Sequence, residues 1–78
     1  MAKAFVLINA EPRSEKEVLK RLREVPEIKE AHFTYGVYDF IAEVEADSMN
    51  RLKEVIYQKV RKLDKVRATI TIIVVEET

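Results

Sequence analysis

The chain carries one histidine, His32, and no cysteine. That composition removes most of the side chains that do covalent or metal chemistry. A thiolate metal site and a disulfide framework are both excluded. His32 falls mid-way along a stretch of strand character, and neither a nucleophile–base pair nor a metal cluster can be assembled around it. A lone histidine in a strand reads as structural. Carboxylates are plentiful, but Glu43 and Glu45 alternate along one strand face, as solvated residues do. The only glycine is Gly36, so no Gly-rich loop is available to cradle a phosphate. The sequence reads as a non-enzyme that uses neither metal nor cofactor.

The distinctive stretch is 34–40, TYGVYDF, where the single glycine is flanked by Tyr35 and Tyr38 and an acid, Asp39, follows at once. Gly36-Val37 reads as a two-residue loop between strands, with glycine at the first central position of a type II′ turn, where φ must be positive. A turn alone explains neither the tyrosines nor an aspartate at the start of a strand, where Asp is disfavoured.

The elements that must position this hairpin are legible from hydrophobic spacing. Residues 2–10 form a near-continuous apolar run of strand length. Ser14 and Glu17 are spaced as a capping box before Val18, Leu19, Leu22 and Val25, which predicts a helix over 15–25, stopped by Pro26. Strands follow at 28–35 and 38–46. Asp47 or Ser48 caps a second helix carrying Met49, Leu52, Ile56, Val60 and Leu63 on one stripe. A fourth strand spans 66–76. The order β-α-β-β-α-β, with right-handed crossovers, gives an α+β, ferredoxin-like domain. It has one four-stranded antiparallel sheet, both helices on one face, and the first and third strands in the centre.

Seventy-eight residues make one small domain near the lower limit for a self-sufficient core. No segment approaches the roughly 20 apolar residues of a membrane span, and the N-terminal residues lack a signal-peptide pattern. The expectation is a soluble, cytoplasmic protein. Charged residues reach 36%, rich in Glu and Lys, a mix that resembles proteins of heat-loving organisms. The 14 basic and 14 acidic residues cancel, which argues against nucleic acid as the main partner. They are unevenly spread: 27–47 holds six acids and one base, and 48–67 seven bases and two acids. This reads as a solvated acidic edge beside a basic helix face.

The strands lack a polar face. Phe5 and Leu7 alternate with Val6 and Ile8, and Ile70, Ile72 and Val74 with Thr71, Ile73 and Val75, where a half-solvated sheet would alternate apolar with polar. Two helices cover only one face, so the other would expose more apolar surface than a soluble monomer tolerates. The expected cover is the same face of a second copy, in a homodimer packed sheet on sheet.

The residues PEIKEAHFTYGVYDFIAEVEADSMNRL, followed by VRATITIIVV, resemble the ligand-binding RAM domain of the Lrp/AsnC transcription regulators. The similarity rests on Gly36, Val37, Tyr38 and Asp39 in the hairpin, on Val44, and on Thr69-Ile70-Thr71 opening the last strand; it covers essentially the whole chain. The resemblance implies dimers that associate into rings such as octamers, with a small effector, usually an amino acid, bound between dimers. Carried over, it nominates Tyr35, Gly36, Val37, Tyr38 and Asp39, with Thr69 and Thr71 as neighbours. Regulators of the family carry a helix-turn-helix ahead of this domain, whereas this chain starts at the first strand. It therefore looks like a stand-alone sensing module that does not itself bind DNA and could join full-length regulators. Two alternatives share the element order or the pairing of sheets. An ACT-type sensor would place glycine in the first strand–helix connection, where NAEPRSE has none. A dimeric α/β-barrel enzyme would have only His32 or Tyr35 to offer as a reactive group.

Overall fold

The first strand, β1 (Ala2–Ala10), buries Ala4, Val6, Ile8 and Ala10 and leaves the residues between them half-buried, as opposite-facing side chains of a central strand must. In this computed structural model residues 1–75 are described. After β1 come α1 (Glu15–Arg23), β2 (Ile28–Phe33), β3 (Phe40–Ala46), α2 (Met49–Val55) running on into a π-helical segment (Ile56–Arg61), and β4 (Val66–Ile73). The four strands lie in the order β2-β3-β1-β4 and every pairing is antiparallel. This is the ferredoxin-like plan, with β1 and β3 central.

The core lies between the sheet and the helices. Val18 and Leu22 of α1, with Leu52, Val55, Ile56 and Val60 of the second helix, pack on Val6, Ile8, Phe40 and Val44. Each fully buried side chain of this size contributes about 1.5–3 kcal/mol. The five-residue spacing of Val55 and Val60 is accommodated by the widened π turn, which brings both toward the sheet. Of the expected stripe, Met49 is exposed and Leu63 half-buried, and Val55 takes a core place instead.

The local expectations at the helix starts and at the end of the sheet are met in part. The capping box does not form, because Ser14 turns its hydroxyl back to donate to the Glu11 carbonyl and leaves the α1 amides without a side-chain cap. At α2 the cap is Ser48, whose Oγ accepts from the Arg51 amide at 3.1 Å. The fourth strand ends at Ile73, before Val74 and Val75, although Val74 still donates to the Lys3 carbonyl; the last residue expected in it, Glu76, lies outside the described residues. Near its start β4 carries an extra residue, Arg67, between the pairs Asn9↔Ala68 and Ala10↔Val66, a bulge that interrupts the ladder.

The face away from the helices is apolar in the middle. The register sets Phe5 beside Ile72 and Leu7 between Ile41 and Ile70. Ile70 is 45% and Ile72 51% exposed. Lys3 edges this stripe, 3.4 Å from Glu43 and 3.9 Å from Glu45. The acidic and basic halves of the sequence also meet within the fold: Glu27 accepts from Arg51 at 3.1 Å and Lys59 at 3.4 Å.

Candidate ligand site at the hairpin

The β2–β3 connection is wider than the two-residue turn that the sequence suggests. The last ladder pair is Phe33↔Phe40, and the Thr34 amide then donates to the Asp39 carbonyl at 2.8 Å. Residues 35–38 form the tip. Thr34 Oγ1 donates to the Tyr38 carbonyl at 2.7 Å and closes the loop from within. Gly36 has φ +134°, so the need for a residue free of a Cβ is met, although in a longer loop than type II′. A Cβ built there would touch nothing within 4 Å; the constraint is backbone conformation alone.

Tyr35 and Val37 stand in solvent, while Tyr38 and Asp39 are half-buried at the base of the loop. An aromatic series leads outward, with the Phe33 ring 5.5 Å from buried Phe40 and 6.4 Å from Tyr35. Phe33 also lines a shallow hollow of about 310 Å³ with Glu15, Lys16 and Leu19 of α1.

Asp39 is the anchor. Its Oδ2 accepts from the Ala10 amide at 2.9 Å, beyond the last β1–β3 ladder pair, Ile8↔Phe40. Its own amide donates to the Ile8 carbonyl at 2.9 Å and to Asn9 Oδ1 at 3.2 Å. An amide past the end of the ladder needs an acceptor, and an ionised carboxylate is a strong one. This accounts for an acid at the start of β3. Asn9 and Ala10 belong to the same assembly; the polar Asn9 interrupting an apolar strand was the available signal for them.

Thr69 and Thr71 lie on β4, opposite Ile8 and Val6, and so share the helix-side face of the sheet. Thr69 is in the same cross-strand row as Phe40 and Phe33, separated from β3 by β1, or about 10 Å at ordinary strand spacing. The hairpin and the threonines thus reach the same end of the sheet but do not form one pocket within a single copy. Thr71 instead lines a groove of about 360 Å³ with Lys53, Ile56, Tyr57, Arg61 and Ile73. The Tyr57 ring there has the Arg61 guanidinium 5.3 Å and the Lys62 ammonium 4.7 Å from its centroid. Sequence spacing did not single out Tyr57 or Arg61, since both lie off the apolar stripe. His32 is exposed and 2.9 Å from Glu30, and no group of three or more potential metal-binding side chains occurs among the described residues. No helix of the described residues is long and apolar enough to cross a membrane.

Residues 3–78 match the Lrp/AsnC ligand binding domain. The chain belongs to that family. An uncharacterized HTH-type transcriptional regulator of Pyrococcus abyssi is 31% identical over 68 residues, covering 87% of this chain and 43% of its own. Among solved structures, a hypothetical protein from Pyrococcus horikoshii superposes with a TM-score of 0.91 at 39% identity, covering 99% of this chain and 93% of that one. Escherichia coli AsnC superposes at 0.89 with 26% identity, over 97% of this chain and 52% of that one. The chain spans about half the length of the curated relatives it matches. Those relatives are regulators, and the Lrp/AsnC domain, not the ACT type, accounts for the shared element order.

Proposed function

We propose that this chain is an amino-acid-sensing, self-assembling regulatory module of the Lrp/AsnC type. Two copies pack through the open sheet face, and an amino acid sits between neighbouring dimers. Tyr35, Gly36, Val37, Tyr38 and Asp39 of one hairpin hold it, with Thr69 and Thr71 nearby. The observation that carries this reading is the division of labour in the hairpin: a half-buried Asp39 fastened to β1, and a tip whose Tyr35 and Val37 stand almost wholly in solvent. Large side chains held out on a fixed base gain their packing only from a neighbour.

A zwitterion suits what the hairpin offers. The backbone about Gly36 is open to close approach, so peptide groups can meet an α-carboxylate. One oxygen of Asp39 is engaged by Ala10, and Oδ1 is left to take an ammonium through a charge-assisted bond. Placement between dimers brings Thr69 and Thr71 of one copy toward the hairpin of another, which the separation within one copy does not allow.

The test is a thermal-shift panel of the amino acids run alongside sedimentation of the same samples. One or a few amino acids should raise the melting temperature, in samples where the protein sediments as assemblies larger than a dimer. A well-folded 9 kDa monomer that no amino acid stabilises would overturn the reading.

A further inference from the structure

We infer that the groove between the second helix and β4 binds a small organic carboxylate that has an apolar body and no ammonium group. The inference goes beyond amino-acid sensing at the hairpin, and a single copy supplies every residue it uses.

Two hollows meet there. One, of about 310 Å³, is lined by Arg61, Val66, Arg67, Ala68 and Thr69. The other is the groove of about 360 Å³ that Tyr57 and Thr71 share with Lys53, Ile56, Arg61 and Ile73. Arg61 belongs to both, so they form one trough with a polar end and an apolar end. The sequence builds its two walls by displacement. Lys53, Tyr57 and Arg61 recur every four residues, one position after the buried Leu52, Ile56 and Val60. That shift turns them from the core to the flank of the helix, above the sheet edge. On the other wall, the bulge adds Arg67 to β4, and a bulge re-aims the side chain it carries. Arg67 thereby lines the same hollow as Thr69, two residues on.

Charge decides the occupant. No carboxylate lines either hollow. Among the described residues Lys53, Arg61 and Arg67 make no ion pair, whereas Arg51 and Lys59 of the same helix are both taken by Glu27. Glu54, beside Lys53 in sequence, is held by Arg51 at 2.7 Å. Cations that share one trough without a counter-ion repel one another, and an anion among them relieves that repulsion. The guanidinium fork matches a carboxylate with two parallel hydrogen bonds, and Thr69 and Thr71 add hydroxyl donors on the same side of the strand. A bare ion would leave Ile56, Tyr57 and Ile73 unused. An apolar body laid along them gains the burial of its own surface and of theirs. The Arg61 guanidinium, 5.3 Å from the centroid of the Tyr57 ring, joins the two ends. An ammonium would meet only like charges here. The groove therefore selects against the group that Asp39 is placed to accept at the hairpin.

The experiment is a calorimetric titration of the full chain with three probes. Hydrocinnamate is phenylalanine without its ammonium group, phenethylamine is phenylalanine without its carboxylate, and inorganic phosphate is an anion without a body. Hydrocinnamate should bind at millimolar concentration or below, phenethylamine should give no binding heat, and phosphate should bind about tenfold more weakly or worse. Arg61→Gln/Arg67→Gln should weaken hydrocinnamate about ten- to a hundredfold, with melting close to the wild type because both side chains are exposed. Tyr57→Ala should weaken hydrocinnamate several-fold and leave phosphate unchanged, since it removes only the apolar wall. Hydrocinnamate that fails to bind the wild type, or that binds the arginine variant as tightly, overturns the inference. Phosphate or phenethylamine binding as tightly as hydrocinnamate overturns it as well. No amino acid enters these titrations, so a chain that senses none would leave the result standing.

Discussion

Replacing Asp39 should separate the two things that its carboxylate is placed to do. Asp39→Ala removes the acceptor for the Ala10 amide, 2.9 Å away, and leaves that amide, on a largely buried residue, without a partner. Hydrogen bonds to charged groups are worth about 1.5–3 kcal/mol, and half-burial of this carboxylate favours the lower part of that range, about 1.5–2 kcal/mol. The backbone bond from the Asp39 amide to Ile8 survives the substitution, so the strands stay in register. For a domain of this size such a loss lowers the melting temperature by roughly 5–15 °C. Asp39→Asn keeps an oxygen acceptor of the same shape and gives up only the charge, so its cost should be about 0.5–1 kcal/mol. That variant also loses the anion proposed to meet a ligand ammonium, a loss of about ten- to a hundredfold in affinity. Thermal melts of the three proteins, followed by calorimetric titration with the most stabilising amino acid, give both readouts. Asp39→Ala melting with the wild type would refute the anchor, and Asp39→Asn binding as tightly as the wild type would remove the charge from the site.

Other outcomes follow from the same geometry. Gly36→Val forces a β-branched residue to φ +134° and should cost about 1–3 kcal/mol from backbone strain alone, read as a lower urea midpoint at unchanged slope; an unaltered midpoint would show that the loop relaxes. Glu27 is held below the usual carboxyl range by its own backbone amide and then by Arg51 and Lys59. A group whose pKa is lowered on folding contributes stability above its unfolded pKa and loses it as pH falls through the folded one. Wild type should therefore exceed Glu27→Gln most at neutral pH and converge with it in acid, and a constant gap across the acid range would contradict this. Ile70→Lys, at a half-exposed position of the open face, should leave a single copy folded but abolish the face-to-face dimer, checked by sedimentation at low micromolar concentration.

The architecture was legible because run length and periodicity together separate these elements. The short, near-continuous apolar runs of β1 and β4 read as strands, and the Leu52–Ile56–Val60 spacing reads as one face of a helix. What escaped the sequence were features set by contacts across the fold. Ser14 turns to Glu11 instead of capping α1 because the chain at Arg13 takes a positive φ, 70°, which no spacing rule anticipates. The π turn exists to bring Val60 onto the sheet after Val55 has been placed there. The hairpin loop is wider than two residues because Asp39 is drawn to Ala10, 29 positions earlier in the chain, and no local rule connects those two. For the site itself, the glycine and the acid were visible as anomalies of composition. The separation of Thr69 and Thr71 from the hairpin emerged only once β1 was seen to run between them.

Native mass spectrometry of the intact protein with a panel of amino acids tests the central claim most directly, since one spectrum reports both the number of copies and the number of bound ligands. The account predicts that an amino acid appears on assemblies of four or more copies and not on dimers or monomers. An amino acid bound stoichiometrically to a monomer, or higher assemblies that bind none of the panel at millimolar concentration, would contradict it.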